Sequence, residues 1–274
     1  MFYKLDELAW PEAQELIPRC IALFPVGTLE QHGPHLTLDT DNMIAQAVSA
    51  EGAARTTAEV MLCPPVLHGY AMHNMDFPGT LTVGFETMAH YMADLAASLA
   101  HHGCLKIVYL NGHGSNTAPL EMAARLVMNR YPEVLVAVAW PYAMAAKALN
   151  QWRDACEDGG MAHACELETS VIMHLRPELV HLERAVKDIN QPPSAFYFRD
   201  LTRGARGVSV PDLTRNISKT GAVGDPTVAT AEKGAFYLNA MADALADFLA
   251  EFAERRVERQ VPFETPRPTG LLPW

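Results

Sequence analysis

Cys20-Ile-Ala-Leu-Phe-Pro-Val26 is an almost unbroken apolar run, followed at once by Gly27-Thr-Leu-Glu30-Gln-His32-Gly-Pro-His35-Leu-Thr-Leu-Asp39-Thr-Asp41. Without polar alternation, the run reads as a strand covered on both faces, the pattern of a parallel sheet. Val60–Cys63, Lys106–Leu110 and Val134–Trp140 repeat that pattern. Between and after the strands, helices are predicted over 41–55, 86–102, 116–131 and 141–155. In the second of these, Met88, Tyr91, Met92, Leu95 and Leu99 fall on one stripe. His101-His102-Gly103 closes it, with imidazoles in the last turn and glycine just beyond. Strand–helix alternation of this kind predicts an α/β fold, a mostly parallel central sheet flanked by helices on both faces.

The last third is less regular. Residues 184–226 carry scattered Pro, Gly and Arg and read as a long excursion, functional or interfacial because compact domains rarely keep such loops otherwise. A final helix is predicted over 228–256, its stripe formed by Val228, Ala231, Ala235, Leu238, Ala242, Leu245, Leu249 and Phe252. The tail at 261–274 holds Pro262, Pro266, Pro268 and Pro273 and cannot be regular helix. The expectation is a single α/β domain over 1–274.

Composition narrows the function. With 21 Lys and Arg against 32 Asp and Glu, the net charge of −11 argues against nucleic acid, whose phosphates call for a basic footprint. No apolar stretch reaches the ~18–20 residues that span a bilayer, and the start, MFYKLDELAWPEAQ, is charged where a signal peptide is apolar. Five cysteines, an odd number with no short-spaced pair, fit neither a disulfide framework nor a zinc knuckle. A cytoplasmic protein without membrane or nucleic-acid partners is expected.

In open parallel sheets ligands sit beyond the carboxyl ends of the strands, and polar clusters stand in such places here. Glu30, His32 and Asp41 follow the first strand; Asn111-Gly-His113-Gly114-Ser115-Asn116 follows the third; His163-Ala-Cys-Glu166-Leu-Glu168 precedes a later helix. Imidazole mixed with carboxylate suits Zn²⁺, Mn²⁺ or Fe²⁺ better than Mg²⁺ or Ca²⁺. Asp41 alone reads equally well as a helix-capping acid; joined to Glu30 and His32 it reads as a ligand, and one carboxylate can bridge two metals. His113 lies between glycines that let the backbone bring its imidazole to the sheet edge. Asn116 reads as a cap for the next helix.

Helix phase separates the two glutamates. Glu168 shares a face with Val171, Ile172 and Leu175, where a carboxylate must be paired or metal-bound, and so reads as a ligand. Glu166, on the opposite side, reads as an outer or solvent-facing group that could meet substrate. His163, just ahead of the helix, is placed to shuttle a proton. His73, Gly114 and Ser115 are further candidates for contacting substrate. Cys165 beside His163 does not by itself make a thiolate–imidazole pair.

Pro25-Val-Gly-Thr-Leu-Glu-Gln-His-Gly33 with Asp41, Phe77-Pro-Gly-Thr80, Asn111-Gly-His-Gly114, His163-Ala-Cys-Glu-Leu-Glu-Thr-Ser170 and Gly224-Asp-Pro-Thr-Val-Ala-Thr-Ala-Glu-Lys-Gly234 occur in that order. Together they resemble the creatininase (creatinine amidohydrolase) family across most of residues 20–235. The resemblance implies a three-layer α/β/α fold, a two-metal centre, hydrolysis of non-peptide C–N bonds, and a homohexamer. It implies one metal held by Glu30, Asp41 and His113 and a second by His32, Asp41 and Glu168, with Asp41 bridging and His163 handling protons. The chain departs from creatininases that act on creatinine: Gly159-Gly-Met-Ala162 replaces a stretch bearing tryptophan and glutamate, and Gly114-Ser115 replaces Tyr-Glu. Glycine forms include formamide-cleaving enzymes and a peptidase that trims a cofactor precursor peptide. The expectation is therefore a two-metal amidohydrolase for a small amide, cyclic amide or formamide other than creatinine. The alternatives are a metallopeptidase of the same family and an inactive metal- or small-molecule-binding protein.

Overall fold

The computed structural model describes residues 2–190, 194–197, 199–203 and 208–257. The strands are β1 (Phe2–Lys4), β2 (Ile21–Val26), β3 (Val60–Leu62), β4 (Lys106–Asn111), β5 (Leu135–Ala139), β6 (Met161–His163) and β7 (Val223–Gly224). The helices are α1 (Trp10–Leu16), α2 (Thr40–Arg55), α3 (Phe85–His101), α4 (Thr117–Arg130), α5 (Pro141–Met144), α6 (Ala146–Leu149), α7 (Glu166–Leu175), α8 (Thr214–Ile217) and α9 (Ala231–Glu254). β1 to β5 form one parallel sheet in the order β1-β3-β2-β4-β5.

Both faces of that sheet are covered, and β2 and β4 show how. Leu23, Val108 and Leu110 point into a core shared with Ile44 and Val48 of α2, Val171 and Ile172 of α7, and Tyr237, Met241 and Leu245 of α9. Their alternates Ala22, Phe24, Ile107 and Tyr109 point the other way, onto Met88, Met92 and Ala96 of α3 and Leu120, Ala123 and Val127 of α4. Each strand is apolar throughout because successive side chains serve different layers. No helix among the described residues is long and apolar enough to cross a membrane.

Three expectations need correction. The helix predicted over 141–155 is two short helices, α5 and α6, and ends at Leu149. The backbone N–H groups of Asp154 and Ala155 donate instead to the Glu166 carboxylate, at 2.8–3.1 Å, so those donors are lost to a helical ladder. The stripe of α9 is rotated at its start: Ala231 is exposed, while Lys233, Gly234 and Tyr237 are buried. Asn116 does not cap α4; its amide accepts from Tyr70 N–H and donates to the Gly27 carbonyl, tying two loops together. Within the excursion at 184–226, β7 pairs antiparallel with β6 and α8 packs near the site. The proline-rich tail lies outside the described residues.

Candidate metal centre

The carboxyl ends of β2 and β4 lie side by side, with Val26 paired to Asn111. Glu30 leaves β2 in an extended loop whose backbone is fixed by Glu30 N–H to Leu38 O, at 3.0 Å. Asp41 stands in the first turn of α2. His113 lies two residues past β4, its N–H held by the Asn111 side chain at 3.0 Å. Glu168 stands in the first turn of α7 and His163 ends β6; Ala164 between them takes the left-handed conformation (φ 47°) that turns the chain from strand to helix.

These segments place five buried side chains in one cluster. Asp41 Oδ1 is 3.1 Å from His32 Nε2, and Asp41 Oδ2 is 3.1 Å from His113 Nδ1. Glu30 Oε1 lies 3.2 Å from His113 Nδ1 and 3.6 Å from His163 Nδ1. One ligand atom each from His32, Asp41 and Glu168 fall within 4.8 Å of one another, as do those of Glu30, His73 and His113 and those of Glu30, His32 and His163.

Three carboxylates buried this closely oppose one another unless cations compensate. Burial, then the charge of Asp41, outweighs the pull of His32 and pushes Glu168 up to about 7. Burial works against protonation of His32, but Asp41 holds its pKa up at about 9; His113 is raised against burial by Glu30 and Asp41. His163 is pushed down to about 4 by burial and by neighbouring His32. Apart from their shared ion-pair contact with His113 Nδ1, Glu30 Oε1 and Asp41 Oδ2 are buried without a well-aligned hydrogen bond, and His113 Nε2 is buried without a partner. Under-satisfied buried polar atoms on a mixed carboxylate–imidazole set are what a divalent transition ion satisfies, so these residues fit such ions.

The centre opens into a cavity of about 670 Å³. His73, Gly114 and Ser115 line it, as the sequence indicates; His73 stacks on His113 with ring centroids 5.5 Å apart. Glu166 does not. It is buried on the far side of α7, where Lys233 Nζ (2.7 Å) and Tyr237 Oη (3.1 Å) donate to it, so it cannot meet substrate as expected. The physical reason is that its carboxylate is saturated by α9 and by the backbone at 154–155. Sequence reasoning also missed Asn74, whose Nδ2 donates to Glu30 Oε2 at 2.7 Å, and the walls Tyr70, Phe85, Trp140 and Arg199. Only the position of Asn74 beside His73, in a loop after a strand, could have signalled it.

A family model described as creatinine amidohydrolase matches residues 6–249. The chain belongs to the creatininase family. A mycofactocin precursor peptide peptidase of Mycobacterium ulcerans is 34% identical over 229 residues, 81% of each chain. A creatinine amidohydrolase of Pseudomonas putida is 30% identical over 207 residues, covering 70% of this chain and 78% of that one. A solved creatininase variant described as the Zn-Zn type superimposes with a TM-score of 0.77 at 25% identity, covering 90% of this chain and 97% of its own. The three-layer architecture is thus that of the creatininase fold, and the creatininase-family chain carries His/carboxylate groups of metal-ligating type at its sheet edge.

Proposed function

We propose that this creatininase-family hydrolase cleaves an amide C–N bond in a short peptide. The sequence alone points to a smaller, non-peptide amide. The observation that carries the peptide reading is the cavity: about 670 Å³ is room for a ligand of many heavy atoms, well beyond a formamide or a single lactam ring. The aromatic walls Tyr70, Phe85 and Trp140 offer apolar contact to side chains flanking the bond. The 34% identity to a peptidase supports the same reading.

Glu30, Asp41 and His113 would hold one divalent ion and His32, Asp41 and Glu168 a second. Such ions, when bound, supply a hydroxide-strength nucleophile near neutral pH and a Lewis acid for the carbonyl oxygen. The two oxygens of Asp41 already face different imidazoles, the arrangement a bridging carboxylate needs. His163, on the cavity wall with one ring nitrogen facing Glu30, takes the proton of the attacking water and returns it to the departing nitrogen. Asn74 holds Glu30 in orientation through its other oxygen.

A non-peptide C–N bond is the second reading, favoured by the 30% identity to a creatinine amidohydrolase. Zinc- or manganese-loaded protein incubated with short peptides, formamides and cyclic amides, with and without chelator, separates the two. Chelator-sensitive peptide cleavage seen by mass spectrometry supports the proposal. Turnover of the small amides with every peptide left intact overturns it.

A further inference from the structure

We propose that Gln31 is a positioning residue that locks His163 in the tautomer carrying its proton on Nε2. Nδ1 is then the nitrogen that takes and returns the proton during amide hydrolysis. The chemical half of this inference rests on the proposed hydrolytic function; the tautomer itself rests on hydrogen-bond accounting.

One arrangement of hydrogens fits the contacts around Gln31 and His163. Gln31 Oε1 accepts from Gly33 N–H at 2.8 Å, which fixes the orientation of the amide. The reversed amide would set its NH₂ against a backbone donor and its oxygen against the Gly221 carbonyl. The two hydrogens on Gln31 Nε2 go to Asn74 Oδ1 and Gly221 O, each at 3.0 Å. Asn74 is oriented independently, because its Nδ2 donates to the Glu30 carboxylate at 2.7 Å and its Oδ1 also accepts from Thr214 Oγ1 at 2.6 Å.

An amide nitrogen has two hydrogens, and both are committed. The 3.0 Å approach of Gln31 Nε2 to His163 Nε2 is therefore a contact without a shared proton. His163 Nε2 also lies 2.9 Å from the Gln31 backbone carbonyl, which can only accept. The imidazole must donate there, so Nε2 carries the hydrogen. In the neutral ring Nδ1 is left bare, and it faces Glu30 Oε1 across 3.6 Å. In hydrolysis the water oxygen bonds to the carbonyl carbon, the C–N bond breaks, and the proton held on Nδ1 passes to the departing nitrogen.

Gln31 thus grips His163 through its main chain while its side chain braces its own loop at Gly33 and ties it to the loops of Asn74 and Gly221. Gly221 (φ 87°) is part of the grip, since a Cβ there would stand 2.0 Å from Gln31 Oε1.

Two-bond ¹H–¹⁵N correlation spectra of zinc-loaded, ¹⁵N-histidine-labelled protein report the tautomer directly, with His163 assigned by its loss in His163→Asn. The expected result is the Nε2–H form; an Nδ1–H ring overturns the proposal. Gln31→Met, which keeps the length and removes the hydrogen bonds, is expected to mix the tautomers. It should lower kcat about 10- to 100-fold, as outer-shell losses do, with KM little changed. An unchanged tautomer and kcat in Gln31→Met also overturn the proposal. Should wild-type protein cleave no peptide, the functional reading fails while the spectra still decide the role of Gln31.

Discussion

The guanidinium of Arg153 grips the carboxylate of Asp200 through two parallel hydrogen bonds, Nη1 to Oδ1 at 2.9 Å and Nη2 to Oδ2 at 2.7 Å, with both side chains withdrawn from solvent. Arg153 also donates to the carbonyls of Ala155 and Glu157, and Asp200 lies on the cavity wall. Removing one partner of a buried pair strands the other, so Arg153→Ala should destabilise the fold by about 3–5 kcal/mol. Arg153→Lys should recover little of it, because an ammonium cannot reproduce the fork. Urea titrations check this; a loss below about 1 kcal/mol in Arg153→Ala would mean the pair is not what holds the wall.

Asp41→Ala should empty the centre, since each of its oxygens faces a different imidazole. Elemental analysis of purified protein is expected to find both divalent ions lost together and hydrolysis abolished. Wild-type protein stripped by chelator should melt earlier, and readdition of zinc at 100 times its Kd should restore about 2.7 kcal/mol. A melting temperature indifferent to chelator would count against a bound ion.

The two glutamates of α7 should fail differently. Glu168→Gln is expected to lose metal and activity while keeping its fold. Glu166→Gln is expected to keep metal yet lose about 1.5–3 kcal/mol of stability, because Lys233 keeps Asp154 (2.6 Å) but loses its charged partner on α7. Equal metal contents in the two variants would erase the distinction.

His35 makes stability depend on acid. It is buried, its Nε2 is 2.9 Å from Thr169 Oγ1, and burial, then the charge of His32, pushes its pKa down to about 4. In the unfolded chain it titrates at the ordinary histidine value of about 6.5. Between those values the unfolded state binds the extra proton, so this contribution is complete above about pH 6.5 and is lost as pH falls towards 4. His35→Gln should therefore close the stability gap to wild type by about 2 kcal/mol between pH 7 and 4.5. Parallel stability curves over that range would exclude the effect.

Thiol reactivity should single out one cysteine. Cys20, Cys63, Cys104 and Cys165 are buried and Cys156 is exposed. Burial pushes the Cys20 thiol up to about 11 and those of Cys63, Cys104 and Cys165 upward too. An aromatic disulfide reagent should titrate one thiol in native protein and all five in denaturant. Loss of the native reaction in Cys156→Ser completes the check.

The sheet was legible where its strands serve two layers, as at Ile21–Val26 and Lys106–Asn111, because burial on both faces writes itself as an apolar run. β1, β6 and β7 were not, being two or three residues long and set by pairing rather than pattern. The convergence of Glu30, His32, Asp41, His113 and Glu168 was legible from polar residues placed just past strand ends and from the phase of one helix. Glu166 was not, because its partners Lys233 and Tyr237 lie on α9, and nothing local in a sequence announces a bond to a distant helix. Arg153 and Asn74 were hidden for the same reason: their roles are defined by what approaches them.

The placement of Asp41 and Glu168 in the first turns of α2 and α7, with His113 past the end of β4, also constrains how the molecule matures. A nascent chain has no pair of these groups adjacent until the inner strands have zipped and both helices have landed. Glu30, His32 and Asp41 share one segment, but the complete ligand set exists only once β4 and α7 are in place. Completion of the centre should accordingly behave as a late maturation event.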